Sequence, residues 1–259
     1  MDRNSDKLHH LHECHDSREL LKTYFSGNHD FIEDVIKLPI EKLKNAFKTG
    51  DISGNILNDI SATATVHHLF SATDCFQEII LMRPNKKCIM EILKWQKDDS
   101  GAFSWGHMAE HDPDTEEKSD KWEVKEMKLK STIKQVVPFD TEAEPQKDLS
   151  GVPQADCVIT ALLCDLICKN EDDYVRIMRK ILEQLKPGGY LILFGVVDAS
   201  YYTLGEKKFH LFTYDEKLVK NTLAAEGMSV LQSEVFPRKS KSNLIDYKSV
   251  LFLMARKQK

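Results

Sequence analysis

The chain has 259 residues, of which 30% are charged and 41% are hydrophobic, and its formal net charge is −5. The hydrophobic fraction excludes a wholly disordered chain, and the length suits one α/β domain or two small ones. No apolar run approaches the ~18 residues of a membrane-spanning helix. The mild acidity gives no general attraction for nucleic acid or an anionic membrane. Glycine is scarce, with 11 residues, where average usage predicts about 18.

The N-terminal segment and the cysteines predict a cytoplasmic protein. The opening run MDRNSDKLHHLHECHDS contains neither an apolar core nor a cleavage pattern of a secretory signal. The cysteines lie in apolar stretches without a CxxC pair, which is typical of reduced, mostly buried thiols. They are Cys14, Cys75, Cys88, Cys157, Cys164 and Cys168. The His-rich run 9–15 favours adventitious metal binding only, and no metal site is predicted.

The first part of the chain predicts a helical cover followed by two pairs of strand and helix. From about Glu19, apolar residues recur at three- and four-residue steps, with Pro39 as a kink or break. A strand, a short helix, a second strand and a second helix are then predicted at Asn55–Ile60, Thr65–Ala72, Glu78–Met82 and Lys87–Lys97.

In the middle of the chain, a strongly charged segment is followed by an apolar one. Residues 98–130 predict a solvated loop that leads into an exposed helix near Asp120–Gln135. A strand, a turn and a further strand follow at Val136–Phe139, Asp148–Pro153 and Asp156–Leu163. The last of these (DCVITALL) is almost continuously apolar, which is typical of the middle of a parallel sheet.

The last third contains the clearest unit of strand and helix. Asn170 caps a helix whose first turn carries three acidic residues, which suits the positive end of the helix dipole. Apolar residues form one face of this helix, and Lys186–Gly189 ends it and leads into the strand YLILFGVV. A helix and two β-rich segments that predict an antiparallel hairpin follow at Thr213–Gly227, Met228–Phe236 and Lys248–Arg256.

This order of elements predicts an α/β fold with a doubly wound, mostly parallel sheet and a C-terminal antiparallel hairpin. Ligands are then expected at the carboxyl ends of the strands. Residues 1–16 are predicted to be a flexible tail. Residues 17–259 are predicted to form a single domain that includes the N-terminal lid helices.

From about residue 15 to its end, the chain resembles the small-molecule N-methyltransferases of nicotinamide, indolethylamine and phenylethanolamine. The resemblance rests on the runs LLKTYF, LFSATDCFQEII, ILKWQKDDSGAFSW, VPQADCVITALLCDLIC, LKPGGYLILFGVVDASYYTLGEKKF and LFLMARK. It implies a class I, Rossmann-like methyltransferase fold, with S-adenosyl-L-methionine as cofactor. The implied partner is a small amine or heteroaromatic acceptor, without nucleic acid or membrane, and a monomer is expected.

The loop after the first strand departs from this family. There, the family has a glycine-rich turn (DIGSGPT) that passes beneath the methionine part of the cofactor. Here the run is DISATAT, so that Ser61 and Thr63 replace the two glycines. A β-branched residue at positive φ is strained by ~1–3 kcal/mol, and its side chain would occupy space meant for the ligand.

The end of the second strand departs as well. The family places an acidic residue there, which accepts hydrogen bonds from the ribose hydroxyls, whereas this chain has Arg83. Arg83 is predicted to point to solvent beside Lys86 and Lys87. The alternative is that the three cations receive a phosphorylated ligand.

Other family positions are retained in part. Asp140 matches a polar group near the adenine, and Tyr201 matches a family aromatic. Asp165 matches a carboxylate of the acceptor pocket, although it could instead cap the following segment. The expected catalytic residues are Asp165, Tyr24 and Tyr202. The expected cofactor-binding residues are Tyr24, Phe25, Ser61, Ala62, Thr65, Arg83, Asp140, Thr141 and Ala161.

Several replacements disfavour nicotinamide as the acceptor. Leu20 and Phe25 replace lid tyrosines, Gly195 replaces an acidic residue, and Ala199 and Leu211 replace serines. Cys164 and Cys168, beside Asp165, are interpreted as buried apolar residues, with a redox or ligand role as the alternative. Two functions therefore remain open. The first is an N-methyltransferase of a small amine or heteroaromatic. The second is an impaired or inactive paralogue that keeps the fold for binding or regulation.

Overall fold

The computed structural model describes residues 16–26, 31–48, 52–111, 119–142 and 151–259. The His-rich run 9–15 lies outside these residues, as does the first part of the turn predicted at Asp148–Pro153. The division into a tail and a single domain stays a prediction. None of the helices in the described part combines the length and apolar character that a membrane span needs.

A seven-stranded sheet, in the order β3-β2-β1-β4-β5-β9-β8, forms the centre of the fold. Its strands are β1 Gly54–Ile60, β2 Phe76–Arg83, β3 Ile133–Pro138, β4 Ala155–Ala161, β5 Leu185–Val197, β8 Met228–Pro237 and β9 Ser249–Lys257. Strands β1 to β5 pair in parallel, whereas β9 runs antiparallel to both β5 and β8. The predicted fold class is therefore confirmed.

Helices pack against the strands of this sheet and against one another. They are α1 Ser17–Phe25, α2 Leu38–Lys48, α3 Lys86–Gln96, α4 Ser119–Thr132, α5 Leu163–Ile167, α6 Glu171–Glu183 and α7 Glu216–Ala225. The predicted cap of α6 is present, because the Asn170 side chain accepts a hydrogen bond from Asp173 N at 2.9 Å. A π-helical segment, Ile32–Lys37, is followed directly by α2. The change from π-helix to α-helix lies one residue before Pro39, and the helix continues through this proline.

Three local predictions differ from the structure. The short helix predicted at Thr65–Ala72 is a 3₁₀ helix at His67–Asp74, because residues 61–66 form a loop that packs into the core. Helix α4 ends at Thr132, and β3 begins at once at Ile133, three residues earlier than predicted. A small hairpin of β6 Tyr201–Leu204 and β7 Lys207–His210, absent from the prediction, follows β5.

The predicted glycine turn at Lys186–Gly189 is retained inside β5. Pairing with β4 moves from Ala155↔Leu185 directly to Cys157↔Tyr190, so these four residues are looped out of the ladder. Gly188 has a φ of +80°, a conformation that favours glycine. The turn therefore sets the register in which β5 enters the sheet.

Candidate functional site

The carboxyl ends of β1, β2 and β4 meet at one edge of the sheet. Helix α1 and residues 31–37, which we call the lid, line the cavities at this edge. The loop 61–66 leaves β1, Arg83 ends β2, and Ala161 ends β4. This edge is where a doubly wound sheet binds its ligands. The structure thus brings together the predicted residues Ser61, Ala62, Thr65 and Arg83, although their contacts are made with the protein itself.

The loop 61–66 is not strained. In the described chain, the non-glycine residues with positive φ are Asp98, Leu162 and Asp198. The strain predicted at Thr63 is therefore wrong. Residues 61–66 have no positive φ, and in this conformation Ser61 N donates to Met82 O and Ala62 N donates to Ala161 O, both at 3.4 Å. The left-handed residue at this edge is Leu162, directly after β4.

Side chains of this loop are buried and bonded to one another. Ser61, Ala62, Thr63 and Thr65 are at most 3% exposed. The hydroxyl oxygens of Thr63 and Thr65 lie 2.9 Å apart and share a hydrogen bond. The polar atoms that a loop of this kind could offer to a ligand are thus used inside the protein.

Arg83 does not point to solvent, and this prediction is wrong. Its side chain is fully buried, and its guanidinium lies against Asp59, with 2.5 Å between Nη2 and Oδ2. Nη1 donates to Asp59 O at 2.8 Å, and Nη2 donates to Thr65 O at 3.0 Å. An arginine at the end of a buried strand can reach the neighbouring strand end, where a carboxylate balances its charge. The loop 61–66 is therefore fastened to β2.

Asp59 is the centre of this arrangement. Its Oδ1 atom lies 2.9 Å from both His68 Nε2 and Ser61 Oγ, so four side chains form one buried cluster, which we call the Asp59 cluster (Asp59, Ser61, His68 and Arg83). Burial opposes ionisation of Asp59, but the nearby Arg83 and His68 outweigh it and hold the carboxyl pKa well below its usual range. The sequence analysis did not predict Asp59 and His68 as site residues. The available signal was an aspartate next to the end of β1 and an arginine at the end of the adjacent strand β2.

His67 lies beside the cluster and is neutral. Its Nε2 donates to Val35 O at 3.1 Å, and its ring stacks on Trp105 with centroids 5.6 Å apart. Burial and the neighbouring His68 lower the His67 pKa to about 3. The ring therefore joins the lid to the 3₁₀ helix as an uncharged hydrogen-bond donor.

The lid is fastened over the strand ends by further hydrogen bonds. Tyr24 Oη donates to Thr203 O at 2.6 Å, and His107 Nε2 lies 2.5 Å from Phe25 O. On the other side, the Asp34 carboxylate accepts from Tyr247 Oη at 2.5 Å and from the backbone of the loop 238–247. Two cavities below the lid have volumes of about 40 and 50 Å³, each with room for a few water molecules.

This geometry does not fit S-adenosyl-L-methionine. The position that would accept the ribose hydroxyls holds a buried guanidinium, which only donates and is already bonded to Asp59 and Thr65. The cavities below the lid are also far smaller than the ~300–1,000 Å³ of a ligand pocket. Binding would require the loop 61–66, the lid and Arg83 to move together.

The predicted acceptor-pocket carboxylate, Asp165, is 3% exposed and is held by the protein. Its Oδ1 accepts from Val196 N at 2.7 Å and from Tyr214 Oη at 2.9 Å. Burial raises the Asp165 pKa to about 6, although these hydrogen bonds favour the charged form. Asp165 is therefore not a surface helix cap. Tyr214, a buried partner that the sequence interpretation missed, takes up the acceptor capacity of Oδ1.

Asp165 should make the stability of the protein depend on pH. Its folded pKa of about 6 exceeds the ~3.9 of an unfolded chain. The folded state therefore binds the proton more tightly, and acidification stabilises it. Lowering the pH from 7 to 5 is expected to raise the free energy of unfolding by about 1 kcal/mol relative to Asp165→Asn. Urea unfolding at both pH values measures this difference. The exposed control Asp172→Asn should follow the wild type, and parallel behaviour of Asp165→Asn would contradict the assignment.

The two predicted tyrosines, Tyr24 and Tyr202, come together as expected. Their ring centroids are 6.5 Å apart, and both rings line the cavity of about 50 Å³, together with Phe25. The Tyr202 hydroxyl is buried and has no hydrogen-bond partner among the described residues. The surface that this cavity presents is apolar, so it suits a small apolar group.

Asp140 and Thr141 follow β3 and lie apart from the tyrosines. Asp140 Oδ1 accepts from Glu142 N at 2.8 Å, and its carbonyl accepts from Lys180 Nζ. Thr141 O accepts from Arg176 Nη1. These two predicted adenine-side residues are thus tied to α6, and Asp140 is exposed. Cys164 and Cys168 are 5% and 1% exposed and not disulfide-bonded, as their interpretation as buried thiols predicts.

Comparison with known proteins gives the family of the chain. The family described as NNMT/PNMT/TEMT matches residues 6–258. The indolethylamine N-methyltransferase of Mus musculus and the nicotinamide N-methyltransferase of Homo sapiens are each 29% identical over 242 residues, which are 93% of this chain and 92% of the relative. The phenylethanolamine N-methyltransferase of Homo sapiens is 30% identical over 220 residues, which cover 83% of this chain and 78% of that enzyme.

Solved structures support the fold independently. A magnesium protoporphyrin IX methyltransferase from Synechocystis PCC 6803, solved with bound SAH, matches with a TM-score of 0.55 at 11% identity and covers 93% of both chains. A glycopeptide N-methyltransferase complexed with S-adenosyl-L-methionine matches with a TM-score of 0.53 at 9% identity, over 85% of this chain and 87% of its own. With its fold, its family match and its relatives in agreement, the chain belongs to the NNMT/PNMT/TEMT family of S-adenosylmethionine-dependent small-molecule N-methyltransferases.

Proposed function

We propose that this chain is a catalytically impaired paralogue of its family, which keeps the fold for binding or regulation and does not transfer methyl groups efficiently. The observation that carries the proposal is the buried ion pair between Arg83 and Asp59, with 2.5 Å between Nη2 and Oδ2. In this arrangement the end of β2 has no acceptor for the ribose of the cofactor. The charge of Arg83 is balanced by the Asp59 carboxylate of the protein itself.

The cost to cofactor binding follows from the lost interactions. A hydrogen bond to a charged group contributes ~1.5–3 kcal/mol, or roughly tenfold to more than a hundredfold in affinity. The ribose diol would lose two such bonds at Arg83. The loop 61–66, whose polar side chains bond within the protein, offers no replacement. Transfer of a methyl group to nitrogen depends mainly on positioning, so loss of cofactor binding removes most of the activity.

A titration of the wild-type protein tests this proposal. Calorimetry with S-adenosylmethionine and S-adenosylhomocysteine is expected to give no heat of binding at millimolar ligand, and neither compound should shift the thermal midpoint. Micromolar binding of either compound would overturn the proposal. The measurement uses the natural chain, so it does not depend on the folding of any variant.

A repaired variant gives the complementary result. The triple change Ser61→Gly, Thr63→Gly and Arg83→Asp restores the glycines and an acceptor, so measurable binding is expected where the wild type shows none. Far-ultraviolet circular dichroism checks that the variant is folded. Lys86→Asp, an exposed charge reversal near Arg83, should leave binding absent. A folded triple variant without binding would show that the defect lies elsewhere.

A second candidate is N-methylation of a small amine or heteroaromatic other than nicotinamide. It is favoured by the cavity of about 50 Å³ that Tyr24 and Tyr202 line. Nicotinamide is disfavoured because Gly195 carries no acidic group. Incubation with radiolabelled S-adenosylmethionine and a panel of small amines decides between the candidates. Turnover of any of them would support the second candidate.

A further inference from the structure

One segment of the lid is held against the loop 238–247 by the buried carboxylate of Asp34, which is 4% exposed. Its Oδ2 atom accepts from Lys239 N and Ser240 N, both at 3.0 Å, and from Tyr247 Oη at 2.5 Å. The three donors lie more than 200 residues later in the chain. Burial and the bond to Asp34 raise the Tyr247 pKa, so the phenol remains a donor at neutral pH. We call this contact the Asp34 latch and residues 238–247 the strap.

The strap is anchored at both of its ends. At its start, Arg238 N donates to Lys248 O at 2.9 Å, which continues the hairpin of β8 and β9. Near its other end, the Asp246 carboxylate accepts from Ser200 N at 2.7 Å and from Tyr201 N at 3.0 Å. The strap is therefore the fixed side of the Asp34 latch.

The lid side of the latch is the segment Ile32–Lys37, which is wound as a π-helix. Pro39 has no N–H for Val35 O, and its ring would clash with that carbonyl in a regular α-helix. Val35 O instead accepts from His67 Nε2 at 3.1 Å. Segments of π-helix are rare and short, and they occur frequently at functional sites. The position of this segment thus depends on side-chain bonds to other parts of the fold, among which the Asp34 latch joins it to the strap.

Lid and strap together enclose the cavity of about 50 Å³. Phe31 and Val35 line it from the lid, and Ile245 and Tyr247 line it from the strap. Leu211, which is 2% exposed, lines it as well. Because two walls of one cavity meet at the latch, parting the lid from the strap opens this cavity.

We propose that the Asp34 latch is an autoinhibitory contact, which keeps residues 31–37 on the strap and thereby shuts small apolar molecules out of this cavity. Release of the carboxylate lets the π-helical segment leave, while the anchored strap stays in place. A carboxylate with uncharged donors suits this role, because its hydrogen bonds are strong and water can replace them as the segment moves outward. The inference rests on the proposed function, since it concerns access to a site that the fold keeps for binding. Its test contains no methyl donor, so it can fail while the proposed loss of cofactor binding stands, and the reverse.

The reporter for opening is Leu211→Cys, which places a thiol on the wall of the cavity. The probe is methyl methanethiosulfonate, which is small and uncharged. The introduced thiolate attacks its sulfenyl sulfur, forms a mixed disulfide and displaces methanesulfinate, and mass spectrometry of the peptide follows this reaction. Adding Asp34→Asn should accelerate the modification about tenfold, as expected for the loss of one hydrogen bond to a charged group. Tyr247→Phe removes one donor and keeps the ring, so it should cause a smaller acceleration.

Asp156→Asn in the Leu211→Cys background is the matched control. The Asp156 carboxylate also accepts from two backbone amides, those of Asn55 and Ile56, but at the opposite end of β1. This change should leave the rate of modification as it is. Equal rates with and without Asp34→Asn would overturn the proposal. An equal acceleration by Asp156→Asn would also overturn it, because the thiol would then report a general loss of stability.

Hydrogen exchange provides a second measurement that needs no introduced cysteine. In Asp34→Asn the amides of residues 31–38 should exchange faster than in the wild type, whereas those of β4 should exchange as before. Unchanged exchange at residues 31–38 would contradict the proposal even if Leu211→Cys did not fold.

Discussion

Arg83→Met is expected to lower the free energy of unfolding by about 3–5 kcal/mol, because it leaves the Asp59 carboxylate buried without its cationic partner. Both side chains of the pair are fully buried, so water cannot solvate the carboxylate that is left unpaired. The change also removes the hydrogen bonds that Arg83 donates to Thr65 O and Asp59 O. Urea unfolding at pH 7, followed by circular dichroism, measures the effect.

Two further variants separate the ion pair from general effects of substitution at this edge. Lys86→Met removes an exposed positive charge three residues away and should change the stability by less than about 0.5 kcal/mol. Asp59→Asn combined with Arg83→Met removes both charges, so the double variant should be less destabilised than the sum of the single variants. A cost below about 1 kcal/mol for Arg83→Met would contradict the buried pair.

Gly195→Ala is expected to destabilise the protein by about 1–3 kcal/mol, because an added methyl group overpacks this part of the core. A Cβ atom at Gly195 would lie 1.9 Å from Tyr214 Oη and 3.2 Å from Asp165 Oδ1. Both groups are buried, and they are hydrogen-bonded to each other at 2.9 Å. The tyrosine would have to move and to break that bond. Urea unfolding measures the loss.

The control for this prediction is a glycine with open surroundings. At Gly106 the nearest atom to an added Cβ is 3.6 Å away, so Gly106→Ala should be close to neutral. Tyr214→Phe removes the hydroxyl that the new methyl group meets first. In that background Gly195→Ala should therefore cost less than in the wild type. An equal cost in both backgrounds would show that the hydroxyl is not the obstacle.

The space at Gly195 bears on the acceptor as well as on stability. The resemblance implies an acidic residue at this position in nicotinamide-type members, and here Tyr214 occupies the volume that such a side chain needs. An acidic side chain at position 195 and Tyr214 in its present place are therefore sterically incompatible. The same tyrosine donates a hydrogen bond to Asp165, and neither residue lines the cavity between Tyr24 and Tyr202.

The strands at the centre of the sheet could be predicted from the sequence because each of them is an apolar run bounded by turn residues. The sequence places both ends of β1, β2 and β4 within two residues of their observed bounds, and it predicts the terminal hairpin. The helix after β1 was misplaced, because the loop before it is held by hydrogen bonds to β2 and β4, which come later in the chain. The hairpin β6–β7 was missed, because its exposed lysines hide the alternation typical of a strand.

The sequence by itself determined the fold class, the family resemblance and the two positions, after β1 and at the end of β2, where the chain departs from its relatives. It could not determine what these departures do. The direction of a long side chain depends on which opposite charge lies within reach, and this is fixed only when two strands are placed side by side. The tertiary structure places Asp59 next to Arg83, so that an arginine expected in solvent is the buried ionic partner of Asp59. The backbone strain expected at Thr63 is absent for a related reason, because contacts from β2, β4 and the neighbouring side chains hold the loop in a conformation without positive φ.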